Sequence, residues 1–189
     1  MIPIRTYIPN LRGHRPRLHQ IIAAKNRSHM DNMPSAHDHL KRLDSVSQKN
    51  PIYFITTCVS GRKPLLATSA AHEILVEEWS GMRKRHGWTV GRYVVMPDHV
   101  HFFVSPEPST EKPLNQAVGK WKEWSAKRIL RATGQSGSLW QPEFFDHLLR
   151  SAESLAEKWN YVRENPVRAG LAKNAADWPY AGSIDFEGY

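Results

Sequence analysis

The stretch Arg92–Pro106, "RYVVMPDHVHFFVSP", decides how this chain folds. Two runs rich in β-branched and aromatic residues flank Pro97-Asp98, a dipeptide suited to a tight turn, so the stretch predicts a β-hairpin. Strand side chains alternate between faces, which sends Val100 and Phe102 to a core and His99 and His101 to the opposite face. Side chains two apart on a strand are about 7 Å from each other. Two imidazoles at that reach can share one divalent ion. Neutral imidazole suits Zn, Mn, Fe, Co or Ni, and also Mg²⁺ where carboxylate, phosphate or water completes the shell. The same pair is equally at home as two half-exposed histidines on an open sheet, and spacing alone does not choose.

Working outward, "PIYFITTCV" (Pro51–Val59) reads as a preceding strand. Between it and the hairpin, Ser69 is expected to cap a helix running to about His86, with Ile74, Leu75, Trp79 and Met82 on one side. A second helix is expected from Pro113 to about Thr133, and "FFDHLL" as a short fourth strand. Ser151 then caps a third helix that ends near Asn165, because Pro166 follows. The order βαββαβ plus a C-terminal helix predicts an α+β fold. The expected form is a ferredoxin-like antiparallel sheet with helices on one face, the other face left as a working surface, and an additional helix at the C-terminus. Residues 49–189 form this domain. Residues 1–48 carry many Arg and His residues without strand or helix periodicity, and read as a flexible basic extension. His37 and His39 within it have no evident third metal ligand nearby.

The chain has 189 residues, with 40% hydrophobic residues, a formal net charge of +8 and one cysteine, Cys58. One cysteine excludes an internal disulfide framework and a cysteine-rich zinc site. No apolar run approaches the roughly 20 residues of a membrane span. A soluble cytoplasmic protein with an anionic partner, nucleic acid first, is the expectation.

"SAESLAEKWNYVRENPVRAGL" (Ser151–Leu171) supplies a partner for the histidines. Leu155, Trp159 and Val162 form the apolar stripe of an amphipathic helix. Tyr161 and Asn165 share another face, a third of a turn away. They are either a working pair, phenol and metal-binding amide, or a tyrosine at the core margin and a helix-closing asparagine. Histidine-triad hydrolases need a third histidine at the next alternate strand position, and Phe103 stands there.

"MPDHVHFFV", "LWQPEFFDHLLRS" and "YVRENPVRAGL", in this order, resemble the REP-associated tyrosine transposases, which are single-tyrosine HUH transposases. The resemblance runs from about Ile52 to about Ser183. It implies His99, His101 and Asn165 as ligands of a divalent metal, Mg²⁺ or Mn²⁺, and Tyr161 as the catalytic nucleophile, so that the C-terminal helix becomes catalytic. It also implies cleavage and joining of single-stranded or hairpin (REP-like) DNA through a 5′-phosphotyrosine, in a bacterial, nucleoid-associated protein. A monomer and a homodimer are both compatible with it. Glu157, one turn before Tyr161, is a candidate base or a solvated surface residue.

"KPLNQAVGKWKEWSAKRILR" (Lys112–Arg131) interleaves cations with indoles. Cations neutralise phosphates and indoles stack on unpaired bases, so Lys120, Lys122, Trp124, Lys127 and Arg128 are expected to contact DNA. Arg163 and Arg168 flank the tyrosine and are expected to hold phosphates, Arg168 alternatively to bond the helix end. Trp140, Phe144 and Phe145 are expected in the core, and Cys58 as an inert strand residue. His147 and Arg150 are polar positions of the resembled pattern that either pack or contact the DNA hairpin, and the sequence does not choose between the two. Two other readings compete: a non-catalytic, domesticated binder of structured nucleic acid, and a replication initiator or relaxase. The short chain argues against the latter.

Overall fold

The structure, a computed structural model, describes residues 51–187. The basic extension and its histidines lie outside the described residues. Strand β1 (Ile52–Cys58) is followed by helices α1 (Ser69–Ser80) and α2 (Met82–His86). Next come strands β2 (Trp88–Met96) and β3 (His99–Pro106), helix α3 (Leu114–Thr133), strand β4 (Phe145–Leu149), helices α4 (Ala152–Arg163) and α5 (Asn165–Arg168), and strand β5 (Ala181–Ser183). The sheet runs β4-β1-β3-β2-β5, every neighbouring pair antiparallel. The first four strands have the expected ferredoxin-like order. β5, three small residues without alternation, extends it beyond β2.

The predicted hairpin is present, with Val95 opposite Val100 and Met96 opposite His99. Thr68 rather than Ser69 caps α1, its hydroxyl accepting from the Ala71 N–H. The single helix expected to His86 is divided at Gly81, and Gly87, at φ 71, closes the second piece in the left-handed region that glycine tolerates.

Helices α1 and α3 cover one face of the sheet. Trp79 and Trp121 stack at 5.4 Å between ring centroids, and both pack on Phe102, at 5.3 and 5.0 Å. Val100 and Val104 lie in the same layer, as their alternation predicts. β2 keeps its apolar side chains on this face only through a bulge. Val90 pairs with Val104, but Tyr93 pairs with Phe102, so β2 holds one residue more than β3 there. Trp88, Val90, Tyr93 and Val95 all reach the helix layer as a result. Gly91 sits in the bulge, where a Cβ would come within 2.5 Å of the Phe186 ring.

The other face is not left open. Ile52, Phe54, Val94, Met96, Phe103 and Leu149 are buried against Leu155 and Val162 of α4, with Trp159 at the margin. The predicted apolar stripe of α4 is what closes this second core, and α4 is held at its start by Ser151, whose hydroxyl accepts from the Ser154 N–H at 3.1 Å. The prediction of an uncovered working face is corrected to a face half covered by the helix that carries Tyr161.

Candidate active site

His99 and His101 project to the face that α4 covers in part, at the end of β3 next to the hairpin turn. Their rings meet edge to face, 4.8 Å between centroids. Each is tethered through one ring nitrogen. Nδ1 of His99 lies 2.6 Å from a carboxylate oxygen of Asp98. The other Asp98 oxygen receives the Arg62 guanidinium at 2.9 Å. Nδ1 of His101 lies 2.7 Å from the Thr56 hydroxyl, on the strand across from it. Phe54 stacks on the His101 ring at 5.4 Å. With Nδ1 engaged in both rings, Nε2 is the nitrogen left for a ligand, and this is how partners outside a metal shell orient histidine ligands.

Burial first, and then the charges of His99, Arg62, Lys158 and Arg168, hold the His101 pKa well below its ordinary value. His101 is therefore neutral at physiological pH, the form that donates a lone pair. Burial works to raise Asp98, but its hydrogen bond to His99 and the charges of His99 and Arg62 outweigh it and bring the carboxyl below its usual range. Cys58 sits opposite His99 in the sheet. Burial pushes its thiol up, and the Arg62 guanidinium donates to its sulfur at 2.6 Å. Arg62 itself has φ 56, a left-handed conformation that a non-glycine residue adopts at a cost of order 1 kcal/mol. Its guanidinium reaches both Cys58 at the end of β1 and Asp98 in the hairpin turn.

Helix α4 packs on the same face of the sheet. Tyr161 is exposed, one residue before the buried Val162. Its ring lies 4.2 Å from the guanidinium carbon of Arg168. The same guanidinium donates to the Tyr161 carbonyl and to the side-chain oxygen of Asn165. Arg168 thus bonds the helix end, one of its two predicted roles, and ties Tyr161 to Asn165. Arg163 pairs loosely with Glu164, at 3.6 Å. Lys158 reaches from α4 to place its ammonium 5.2 Å from the Phe54 ring, beneath which His101 stacks. Among the described residues, no three His, Cys, Asp or Glu side chains converge as a metal cage. A cation held by the histidine pair would need amide or phosphate oxygens besides, and Asn165 carries such an amide.

The predicted DNA surface on α3 is redistributed. α3 covers the opposite face of the sheet from the histidines. Lys122 is corrected outright: it is buried, and its ammonium donates to the carbonyls of Gln141, Pro142 and Glu143 at 2.7, 2.8 and 3.3 Å. Lys120 and Lys127 bracket Glu123, and their hydrogen bonds, Lys127's foremost, pull its carboxyl down to about 2. Arg128 joins α3 to Glu77 and Glu78 of α1. Trp124 is half exposed, with the Lys127 ammonium over its ring at 4.8 Å. The site residues that sequence did not single out are Thr56, Arg62, Asp98 and Lys158. Lys158 carried a usable signal, lying three residues from both Leu155 and Tyr161.

Residues 45–165 match the family described as Transposase IS200 like. The chain is similar to the REP-associated tyrosine transposase of Escherichia coli (strain K12), at 25% identity over 134 residues, covering 70% of this chain and 76% of that protein. Among solved structures it resembles a REP-associated tyrosine transposase bound to a REP hairpin, with a TM-score of 0.56 and 23% identity, covering 70% of this chain and 75% of the other. No helix among the described residues is long and apolar enough to cross a membrane. The structural likeness speaks for the fold, and the family match spans well over half of the sequence: the chain belongs to the IS200-like transposases.

Proposed function

We propose that this chain is a metal-dependent DNA strand transferase that cuts and rejoins single-stranded or hairpin DNA of the REP kind through a covalent tyrosine intermediate. One observation carries the reading. Both imidazoles are tethered through Nδ1, to Asp98 and Thr56, on the sheet face against which the helix of Tyr161 packs. A non-catalytic binder has no need of that arrangement. His99, His101 and the amide oxygen of Asn165, once released from the Arg168 guanidinium that it accepts from in this structure, would hold a divalent ion, Mg²⁺ or Mn²⁺. When bound, such an ion polarises the scissile phosphate and stabilises developing charge.

The protein's own residues do the rest. The phenol oxygen of Tyr161 bonds to phosphorus as the bond from phosphorus to the 3′ oxygen breaks. The phenol gives up its proton, and the departing oxygen takes one and leaves as a 3′-hydroxyl. A 5′-phosphotyrosine remains, and attack on it by another 3′-hydroxyl restores a phosphodiester without ATP. Arg168 positions the nucleophile, since one guanidinium holds the Tyr161 ring, its carbonyl and the Asn165 amide. Glu157, one helical turn before Tyr161, would be the nearest carboxylate of that helix to take the phenolic proton, and solvent is the other acceptor. Lys158, Arg62 and Arg163 supply positive charge for the DNA backbone. The REP-like substrate is supported by the relative's name and by the related protein seen on a REP hairpin.

The test is incubation with a labelled REP-like hairpin carrying single-stranded flanks, with Mn²⁺, followed by a denaturing gel. Wild type yields a covalent protein–DNA band and Tyr161→Phe yields none. A band that survives Tyr161→Phe, or no band from wild type across varied hairpins, overturns the reading.

A further inference from the structure

Strand β4 opens at Phe145, directly after Phe144, and its alternation sends Leu148 to the helix-face core and Leu149, with Phe145, to the other face. Phe144 packs against the helix-face core, and Lys122 lies 5.9 Å over its ring. Phe145 is on the other face, where it is 56% exposed. Its register partner on β1 is Thr56, whose hydroxyl is bonded to His101. Phe145, Thr56 and His101 therefore form one row across β4, β1 and β3, and strand spacing puts Phe145 about 10 Å from His101. His147 stands in the next row, opposite Phe54. The apolar cover of α4 reaches Leu149 and Phe54 and stops short of Phe145.

Cations stand on this side of the sheet: Lys158 lies 5.2 Å from the Phe54 ring, and Arg62 is paired with Asp98 beside His99, with Asp146 next to Phe145 as the nearby acid. An exposed aromatic face in the row of His101, with the Lys158 ammonium 5.2 Å from the Phe54 ring in the next row, has the composition of a platform for an unpaired base.

We propose that Phe145 stacks on an unpaired nucleobase of the DNA strand that runs into the histidine site, so that β4 forms the strand-entry edge of the catalytic face. The proposal rests on the strand-transferase reading for its ligand and deepens it by naming the element that holds the single strand. A DNA base, rather than a second copy of the chain at the open edge of β4, is favoured by the Lys158 ammonium in the adjoining row and by the net charge of +8 of the chain.

The experiment uses the full chain with Ca²⁺ in place of Mn²⁺ and fluorescence anisotropy on a REP-like hairpin with a single-stranded flank. Phe145→Ala is expected to weaken binding about 5- to 150-fold, the range that one stacked base supplies. Phe145→Trp is expected to restore it. Replacing unpaired bases one at a time by abasic sites should weaken wild type at one position and leave Phe145→Ala indifferent there. Equal affinity of Phe145→Ala and wild type overturns the proposal, as does an equal loss on fully abasic flanks. So does a change in sedimentation that shows the ring joining two copies. The covalent band in Mn²⁺ separates the two readings. A band with no Phe145 effect sinks the platform alone, and abasic sensitivity without any band sinks the cleavage chemistry alone.

Discussion

The two faces of this sheet are built from the same strands and are covered to different extents. On one, α1 and α3 bury Trp79, Trp121, Phe102, Ile55 and Val100 almost completely. On the other, α4 contributes Leu155, Trp159 and Val162, enough to close over Ile52, Phe54, Phe103 and Leu149 but not over Phe145. The row that runs Phe145, Thr56, His101 is left at the margin of this smaller core. Strand β3 serves both faces by alternation alone: Val100 and Phe102 stabilise, while His99 and His101 are set among Asp98, Thr56 and Arg62. The difference teaches where to look for chemistry in such a sheet. It lies where the apolar cover ends, because polar side chains there are held by neighbours and still reachable by a ligand.

Substitutions on the closed face break the comparison most severely. Trp79→Ala is expected to cost about 3–5 kcal/mol, read as a lowered urea midpoint, because it opens a cavity between Trp121 and Phe102. DNA cleavage should fall only in proportion to the unfolded fraction. Lys122→Met probes the boundary between structure and DNA contact. It removes a buried ammonium from three carbonyls and should cost about 1–3 kcal/mol. The salt dependence of DNA binding should be unchanged, since a cation not on phosphate releases no counterion. Ser151→Ala removes the cap of α4 and is expected to cost about 1 kcal/mol, loosening the half-covered face while the tryptophan core stays intact. Near-ultraviolet circular dichroism of the tryptophans reads that core separately.

The smallest expected effect is a pH dependence on the closed face. His72 packs on Tyr93 and Tyr180, with its Nε2 3.1 Å from the Tyr93 hydroxyl. Burial lowers its pKa, against a weaker opposing pull from Glu73. The unfolded chain then binds more protons than the folded one below the ordinary histidine pKa of about 6.5. Its contribution is complete above that value and is lost as pH falls toward the folded pKa. Urea midpoints measured from about pH 7 down to about pH 5 should fall in wild type, and less steeply in His72→Phe.

Much of this was legible in the sequence, for local reasons. The alternation of "HVHFFV" sorts its own side chains, the stripe of Leu155, Trp159 and Val162 announces a packing face, and Ser151 announces a helix start. What stayed hidden depends on register and return paths. Adjacent phenylalanines carry no sign of which one enters the core until β4 is paired with β1. Lys122 looks like its cationic neighbours until the Gln141–Glu143 segment folds back over it. The closure of the second face by α4 joins residues about a hundred positions apart, and no periodicity encodes that. The bulge at Gly91 flips the parity of β2 midway, which a reading by strict alternation misses.

On the proposed reading, DNA becomes covalently attached at Tyr161, exposed on the helix that half covers the histidine face. Wild-type protein treated with a REP-like hairpin and Mn²⁺ can be digested with nuclease and trypsin and analysed by mass spectrometry. Cleavage after Lys158 and Arg163 releases the peptide Trp159–Arg163, in which Tyr161 is the sole tyrosine. The account predicts this peptide with an added 5′-linked nucleotide on Tyr161, absent from His101→Ala protein of unchanged fold. Attachment at another residue, or an unmodified Trp159–Arg163 peptide from DNA that has been cut, would contradict it.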